Sequence, residues 1–205
     1  MNYLISLTIG YLIGSFPTAF IILKKYNGLD ITQTGSGNVG ALNSFRITKS
    51  KWIFLLVLII DFLKGFLSVM LTILLFGPEF IFPMLSITAA VLSHCYSPWL
   101  NLKGGKGLAT ATGGSFGLSI LVIVIWIFMW SVFYQFRRDI NFASVYASIM
   151  TAIFSVFGFS VMNKFSYYHA RSNFEFGFLV SVVMLIIISK HISPLKERLI
   201  KNKIN

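Results

Sequence analysis

Long apolar runs separated by short polar segments dominate the chain. Five of these runs are long enough for a membrane-spanning helix, at about residues 3–23, 52–76, 80–98, 143–161 and 174–189. A helix needs about 20 mostly apolar residues to cross the hydrocarbon core of a bilayer. The pattern therefore predicts a helical membrane protein. The first run lacks a preceding basic segment and is interpreted as a retained span, not a cleaved signal.

A sixth apolar run, from Gly107 to Phe136, is too long for a single span. As one helix its 30 residues would reach about 45 Å at 1.5 Å per residue, against a hydrocarbon core of about 30 Å. Gly113, Gly114 and Gly117 lie near its first third, and glycine is a poor helix former. We expect a short helix followed by a full span, with the break at these glycines.

The positions of the basic residues distinguish six spans from seven. With seven spans and the N-terminus outside, 14 of the 17 basic residues lie on the cytoplasmic side, whereas six spans give a split of 9 against 7. Cytoplasmic loops of membrane proteins carry an excess of lysine and arginine. We therefore predict an all-α integral membrane protein with seven transmembrane helices, some of them short, an outside N-terminus and a cytoplasmic C-terminus.

Composition narrows the class of protein further. Charged residues make up 11% of the chain, whereas soluble domains carry about 25%. The basic residues, which give a net charge of +11, are spread over many loops, so no nucleic-acid partner is expected. Cys95 is the only cysteine, which excludes an intrachain disulfide and a Cys-cluster metal site.

Two features of the early runs indicate how the helices pack. Gly10 and Gly14 form a small-xxx-small face typical of close helix packing, and Pro17 is expected to kink the end of the first helix. Asp61 and Lys64 are three residues apart within the second run. Because unpaired charges are costly in hydrocarbon, we predict that these two residues form a structural ion pair.

A glycine-rich basic loop, NLKGGKGLAT at residues 101–110, precedes the sixth run. It is not a nucleotide-binding P-loop, since that motif would need glycine in place of Leu100 and serine or threonine in place of Gly107. Its glycines nevertheless allow backbone N–H groups to approach an anion at the start of the following helix. Because Lys103 and Lys106 add positive charge, we predict a phosphate site here.

The loop after the first run holds a second polar cluster, DITQTGSGNVGALNSFR at residues 30–46. Its Gly-Ser-Gly-Asn segment is typical of a tight turn, and Asn43 and Arg46 would lie one turn apart on a short helix. Hydroxyl and amide groups followed by an arginine suit a phosphorylated substrate. Both polar loops lie on the cytoplasmic side in the predicted topology.

Taken in order, these segments resemble the PlsY family of bacterial acyl-phosphate:glycerol-3-phosphate acyltransferases. The resemblance rests on GSFP at residues 14–17, the 30–46 loop, DFLKG at 61–65, His94, LKGGKGLAT, and RDINFASVYAS at 138–148. It covers nearly the whole chain. It implies seven transmembrane helices with the N-terminus outside, and a single multi-pass membrane acyltransferase domain over residues 1–205.

The resemblance also implies a reaction in phospholipid synthesis. An acyl group would pass from acyl phosphate to the 1-hydroxyl of glycerol 3-phosphate, giving lysophosphatidic acid and phosphate. The implied ligands are glycerol 3-phosphate, acyl phosphate and membrane lipids, with the soluble enzyme that forms acyl phosphate as a further partner. No cofactor and no metal are expected. The implied location is the bacterial cell (inner) membrane, with the active site facing the cytoplasm.

Matching the family motifs gives a set of predicted site residues. The predicted catalytic residues are Ser36, Arg46 and His191. The predicted substrate-binding residues are Asn38, Asn43, His94, Lys103, Gly104, Gly105, Lys106, Gly107 and Ser144, and among them Gly104, Gly105, Lys106 and Gly107 match the family's glycerol-phosphate-binding motif. Other interpretations remain for single residues: Ser36 as a helix cap, Arg46 as a headgroup contact, and His94 as a buried histidine held by one hydrogen bond.

The third family motif is altered in this chain. The family has histidine followed by asparagine and later Gly-x-Glu, whereas here His191 is followed by Pro194 in place of the asparagine, and KHISPLKERL at 190–199 leads to no Gly-x-Glu. This leaves a second hypothesis, a diverged or inactive relative that acts on another phosphorylated acceptor or binds lipid or a partner. A small transporter is a third, although Asp61 and Lys64 are too few charges to define a path.

The chemistry of an acyl phosphate fits the residues that the chain offers. This mixed anhydride has a good leaving group, so the enzyme must orient the hydroxyl, neutralise phosphate and stabilise an oxyanion. The His-x-x-x-x-Asp pattern of acyl-CoA-dependent acyltransferases is absent, because none of the six acidic residues lies five positions after a histidine. In the PlsY family the substrate's own phosphate is thought to take the proton.

Overall fold

The apolar runs form long helices, and the two polar loops lie between them. The computed structural model describes the backbone of residues 1–204 and the side chains of residues 1–196. Within the described backbone the chain is helical and contains no strand. The α-helices, in chain order, are α1 (Asn2–Ser15), α2 (Thr18–Asn27), α3 (Ala41–Thr48), α4 (Lys51–Phe76), α5 (Ile81–Cys95), α6 (Leu108–Leu118), α7 (Ile120–Arg137), α8 (Ile140–Phe157), α9 (Phe159–Lys164) and α10 (Asn173–Ile204).

Five helical segments of the described chain are long and apolar enough to cross a membrane. They are Asn2–Asn27, Lys51–Phe76, Ile120–Arg137, Ile140–Phe157 and Asn173–Lys196. The other two predicted spans correspond to α5 and α6, which have 15 and 11 residues and are therefore only about 22 and 16 Å long. The helical membrane class is confirmed, whereas the seven-span arrangement and the sidedness of the termini stay predictions. The side chains of Arg198, Lys201 and Lys203, which entered the charge count, lie outside the described residues.

Close packing at two glycines holds α1 against α5. A Cβ atom added to Gly10 would overlap the carbonyl of Ser86, and one added to Gly14 would overlap the carbonyl of Ala90. The predicted small-residue face is therefore confirmed. The predicted kink at Pro17 is a full break, because α1 ends at Ser15 and α2 begins at Thr18.

The long sixth run divides in two, but not at the glycines. The break lies at Ser119, which has extended backbone angles between α6 and α7. Gly113 and Gly114 lie inside α6, where added Cβ atoms would overlap the Phe62 carbonyl of α4 and the Ile87 side chain of α5. The predicted position of the break was wrong because these glycines allow helices to approach closely, a role that looks the same in sequence as a helix break.

The helix α5 is the innermost element near the site. Most of its 15 residues are buried, and it packs against α1, α4, α6 and α10. A smaller apolar cluster lies beside it and includes Leu23, Ile31, Val39 and Val57. Because Ile31 and Val39 belong to the first polar loop, this cluster fixes that loop to α2 and α4.

Candidate active site

The two polar loops contact each other through their backbones. The N–H of Val39 donates to the carbonyl oxygen of Gly104 (3.2 Å), and the N–H of Gly105 donates to that of His94 (3.0 Å). Cβ atoms added to Gly104 and Gly105 would overlap the His94 carbonyl and the His94 ring, respectively. The glycine-rich loop is thus held directly on the C-terminal end of α5, and glycine is required there by close approach.

Asn43 fixes the conformation of the first polar loop. Its Oδ1 accepts a hydrogen bond from the N–H of Ser36 (3.0 Å), and its Nδ2 donates to the carbonyl oxygen of Thr34 (3.1 Å). The side chain is buried. The structure therefore gives Asn43, predicted to bind substrate, a role in positioning Ser36.

Two neighbouring cavities open beside these loops. The larger, of about 700 Å³, is called the polar cleft. Its polar lining side chains are Ser36, Asn38, Arg46, Tyr96, Lys103, Lys106, Asn141, Ser189, Lys190 and Ser193. The smaller, of about 200 Å³, is called the apolar-lined cavity. Its apolar lining side chains are Ala41, Leu42, Phe54, Leu58, Leu108, Ala109 and Ile140.

Four predicted site residues lie where the two cavities meet. Ser36, Asn38, Arg46 and Lys106 line both cavities. Of the other predicted residues, Lys103 and Gly104 line only the polar cleft, and Asn43, His94, Gly107 and His191 line only the apolar-lined cavity. The sequence analysis therefore selected a set of residues that the fold brings together at one place.

The cations of the polar cleft are not neutralised by its walls. Arg46, Lys103, Lys106 and Lys190 line the cleft, and no aspartate or glutamate among residues 1–196 does so. A cleft whose lining holds a cluster of cations attracts anions. The polar cleft is therefore suited to a small molecule with several negative charges.

Lys106 is held in place by a hydrogen bond, and it lines both cavities. Its Nζ donates a hydrogen bond to Oδ1 of Asn141, a residue near the start of α8. Burial, together with the nearby Arg46 guanidinium, lowers the pKa of the Lys106 ammonium to about 8. Lys106 therefore changes its charge in a range that an assay can reach.

His191 presents an unpaired hydrogen-bond acceptor to the apolar-lined cavity. Its Nδ1 lies 2.8 Å from the carbonyl oxygen of Ile187. Because a carbonyl oxygen only accepts hydrogen bonds, Nδ1 carries the proton of the neutral ring. The remaining nitrogen, Nε2, is buried and has no hydrogen-bond partner among the described residues. A donor on a bound ligand would satisfy it.

The predicted ion pair in α4 forms, and it supports His94. Nζ of Lys64 lies 2.7 Å from Oδ1 of Asp61 and donates to the carbonyl oxygen of Phe16 (2.6 Å). Nδ1 of His94 lies 3.9 Å from the same Asp61 oxygen. All three side chains are buried. The cluster thus connects the end of α1, the middle of α4 and the end of α5 beside the glycine-rich loop.

Ser144 lines neither of the two cavities. Its hydroxyl donates to the carbonyl oxygen of Ile140 (2.7 Å) and accepts from Nε1 of Trp130 (3.3 Å). The side chain is fully buried. Its predicted substrate contact therefore has no counterpart in the lining of either cavity, because the hydroxyl is used between α7 and α8.

Several polar residues of the cleft were missed by the sequence analysis. They are Tyr96, Asn141, Ser189, Lys190 and Ser193. Asn141 could have been found, because it lies in the RDINFASVYAS segment. Tyr96 and Ser189 carry no such signal, since they meet only through folding. Among the described residues, no group of three or more His, Cys, Asp or Glu side chains could hold a metal ion.

Comparison with known proteins shows that the chain is similar to glycerol-3-phosphate acyltransferases. A family model described as glycerol-3-phosphate acyltransferase matches residues 4–202. The glycerol-3-phosphate acyltransferase of Helicobacter pylori is 37% identical over 147 residues, which are 64% of this chain and 66% of that protein. The chain thus spans just under two thirds of that relative. The enzyme of the same description from Ehrlichia canis is 36% identical over 200 residues, covering 97% of this chain and 95% of that protein.

Solved structures give the same result. A crystal structure of PlsY (YgiH), described as an integral membrane glycerol 3-phosphate acyltransferase in its glycerol 3-phosphate form, superimposes with a TM-score of 0.78. The two sequences are 30% identical, and the match covers 98% of this chain and 94% of that one. The lysophosphatidic acid form gives a TM-score of 0.75 at 29% identity.

Proposed function

We propose that this chain, which belongs to the glycerol-3-phosphate acyltransferase family, transfers an acyl group from acyl phosphate to the 1-hydroxyl of glycerol 3-phosphate. The products are lysophosphatidic acid and phosphate. One observation carries the proposal: two cavities of opposite character meet at Ser36, Asn38, Arg46 and Lys106. A reaction between a small polar anion and a lipid-like donor needs this arrangement.

Each substrate is assigned to one cavity by its chemistry. Glycerol 3-phosphate is small and anionic, so it occupies the polar cleft with its four cations. Acyl phosphate carries an apolar chain, so the beginning of that chain lies in the apolar-lined cavity, against Phe54, Leu58 and Leu108. The carbonyl carbon and the attacking hydroxyl then meet at the shared residues, which supplies proximity and orientation.

The residues at the junction have complementary roles. Arg46 and Lys106 neutralise the phosphate of the donor and the oxyanion that forms on the acyl oxygen. Nε2 of His191 accepts a hydrogen bond from the attacking hydroxyl and directs a lone pair of its oxygen towards the acyl carbon. The new carbon–oxygen bond forms, the bond from the acyl carbon to the phosphate oxygen breaks, and the hydroxyl proton passes from its hydrogen bond with Nε2 of His191 to the released phosphate. Ser36 completes the donor-binding wall.

The topology follows from the same proposal. The chain has seven spans, an outside N-terminus and a cytoplasmic C-terminus, and residues 1–205 form a single multi-pass domain in the bacterial cell (inner) membrane. The 14 basic residues on the cytoplasmic side support this orientation. The site then faces the cytoplasm, where glycerol 3-phosphate and the soluble enzyme that forms acyl phosphate are present.

The test uses membranes that contain the full chain, acyl phosphate and labelled glycerol 3-phosphate. Lysophosphatidic acid is expected from the wild type, and Ser36→Ala and Arg46→Ala are expected to lower its formation about 100-fold. Lys51→Ala, at an exposed position beyond α3, is the matched control and keeps full activity. Replacing acyl phosphate with acyl-CoA should give no product. A folded wild-type protein that forms no lysophosphatidic acid would contradict the proposal.

A second acceptor is favoured by one feature, Pro194 at the mouth of the polar cleft. Proline has no backbone N–H and no side-chain donor, so the cleft lacks the amide that the family has there. Another phosphorylated polyol would then compete with glycerol 3-phosphate. Assays with a series of polyol phosphates distinguish the two acceptors. Glycerol 3-phosphate should give the highest kcat/KM, and a higher value for another polyol phosphate would identify that compound as the acceptor.

A further inference from the structure

One wall of the polar cleft is formed by Tyr96, after α5, and by Ser189 and Lys190 of α10. We call these three residues the α10 wall. Nζ of Lys190 lies over the ring of Tyr96, 4.6 Å from its centroid. The hydroxyl oxygens of Tyr96 and Ser189 are 2.6 Å apart. Tyr96 and Ser189 are 93 positions apart in the sequence, so only the fold creates this wall.

The hydrogen bonds of the wall have a definite direction. The Ser189 hydroxyl donates its single hydrogen to the carbonyl oxygen of Ile186 (2.6 Å). It must therefore accept from Tyr96, whose O–H is the donor. This bond fixes the Tyr96 ring, and the ring in turn holds the Lys190 ammonium by a cation–π interaction. The three hydrogens of that ammonium stay available to a ligand.

No carboxylate neutralises Lys190 among the described side chains. The ion pairs found in residues 1–196 involve Lys64, His94 and Arg171. Lys190 is half-buried, so its charge is only partly screened by solvent. A cation held by an aromatic ring at the wall of a cleft, without a counter-ion, is a binding group for an anion.

We propose that Lys190 binds the phosphate of the acceptor, glycerol 3-phosphate, and that Tyr96 positions it. This inference rests on the proposed function and deepens it. The two phosphates of the reaction are distinguished by the lining of the cavities: Lys103 and Lys190 line only the polar cleft, whereas Lys106 and Arg46 also line the apolar-lined cavity. The first pair of cations is within reach of the acceptor alone, and the second pair lies between the acceptor and the donor.

Charge balance supports this division. A phosphate monoester carries about −1.5 to −2 charges near pH 7, so two phosphates in one site repel each other strongly. Four cations around the two phosphates, two of them between the phosphates, remove most of that repulsion. The assignment also gives α10 a function where Pro194 replaces the family's asparagine, because Lys190 lies one turn earlier on the same helix.

The experiment measures glycerol 3-phosphate binding by isothermal titration calorimetry on the purified full chain in detergent, without an acyl donor. We expect Lys190→Gln to raise the Kd about tenfold, as loss of one charge-assisted hydrogen bond predicts. Lys190→Arg should stay within about threefold of the wild type, because arginine also binds phosphate and stacks on aromatic rings. The matched control is Lys25→Gln, which removes a lysine held over Tyr26 outside both cavities.

Two variants of Tyr96 separate positioning from folding. Tyr96→Phe keeps the ring and should have a small effect, whereas Tyr96→Leu removes it and should raise the Kd severalfold. Steady-state assays add a second readout: Lys190→Gln should raise KM for glycerol 3-phosphate and leave KM for acyl phosphate unchanged. Thermal unfolding in the same detergent checks that each variant is folded.

The outcomes are distinct. Unchanged glycerol 3-phosphate binding by folded Lys190→Gln, or a raised KM for acyl phosphate alone, would overturn the role of Lys190 and leave the proposed function intact. A wild-type protein that does not bind glycerol 3-phosphate would overturn both. If Lys190→Gln does not fold, the Kd values of Lys190→Arg and Tyr96→Leu for glycerol 3-phosphate test the role of Lys190 instead. Equal Kd values for these two variants would overturn the inference.

Discussion

The helices α5 and α10 each contribute one buried histidine to the lining of the apolar-lined cavity, and the two histidines differ in what surrounds them. On α5, His94 packs its ring on Gly105 and has Nδ1 at 3.9 Å from Asp61. On α10, His191 uses Nδ1 for the carbonyl oxygen of Ile187, and its Nε2 has no hydrogen-bond partner within residues 1–196. The first therefore lies between a carboxylate and the glycine-rich loop, whereas the second has an atom left for a ligand.

This difference shows that burial beside a cavity does not identify a catalytic histidine. The surroundings of its two nitrogens do so, because a buried polar atom without a partner costs free energy that only a ligand or water can recover. We therefore assign His94 to the support of the glycine-rich loop and His191 to contact with the substrate. These assignments predict a loss of activity when His191 is changed and a loss of stability when the residues around His94 are changed.

Removing the His191 ring should have the largest effect. His191→Ala is expected to lower kcat about 1,000-fold, within the usual contribution of a group that hydrogen-bonds the reacting hydroxyl. KM for acyl phosphate should hardly change, since Arg46 and Lys106 still bind it. The assay is lysophosphatidic acid formation, with His169→Ala at an exposed position as the control. A large loss of thermal stability with little loss of kcat would instead make His191 a structural residue like His94.

Breaking the Asp61–Lys64 ion pair beside His94 should lower the stability of the protein. Asp61→Ala leaves the Lys64 ammonium buried without its carboxylate, which costs about 3 kcal/mol in comparable buried pairs. The double variant Asp61→Leu/Lys64→Met should recover much of this loss, because no charge is left unpaired. Thermal unfolding in detergent measures both. Equal stability of Asp61→Ala and the wild type would show that the pair contributes nothing to the fold.

The Asp61–Lys64 pair and the two polar loops could be predicted from the sequence for simple reasons. Charges three residues apart in an apolar run must pair, and glycine with lysine before a helix start indicates an anion site. The break of the long run could not be placed, because glycines that allow close packing look the same as glycines that end a helix. Gly113 and Gly114 serve the first purpose, and Ser119 marks the break.

The rest of the site depends on contacts between distant parts of the chain. Ser144 was predicted to bind substrate from its segment alone, but the direction of its side chain is set by Trp130 on the neighbouring helix. Lys190 carries no motif of its own and becomes significant only beside Tyr96. Most of the predicted residues line the two cavities, whereas Tyr96, Ser189 and Lys190, which meet only through packing, were missed.

A methyl group on Gly105 tests the support of the loop by His94 directly. The added Cβ would overlap Nε2 of His94, so the loop that carries Lys106 must shift. We expect Gly105→Ala to lower kcat/KM about 100-fold, as a displacement of about 1 Å does in other active sites. His94→Ala should open space for the methyl group, so the double variant should be more active than Gly105→Ala alone. If the two losses simply add, the ring does not determine the position of the loop.

The pH dependence gives the smallest effect and concerns Lys106, which lines the same cavity as both histidines. Because burial lowers its pKa to about 8, the cation is present below that value and is lost as the pH rises. The value of kcat/KM should therefore fall above pH 8, by about tenfold at pH 9, since this parameter reports the pKa of the free enzyme. Lys106→Arg keeps its charge at this pH, so its kcat/KM, although lower throughout, should stay level between pH 7 and 9. If kcat/KM of the wild type also stays level, the charge of Lys106 is not needed. If kcat/KM of Lys106→Arg falls as that of the wild type does, another group causes the decrease.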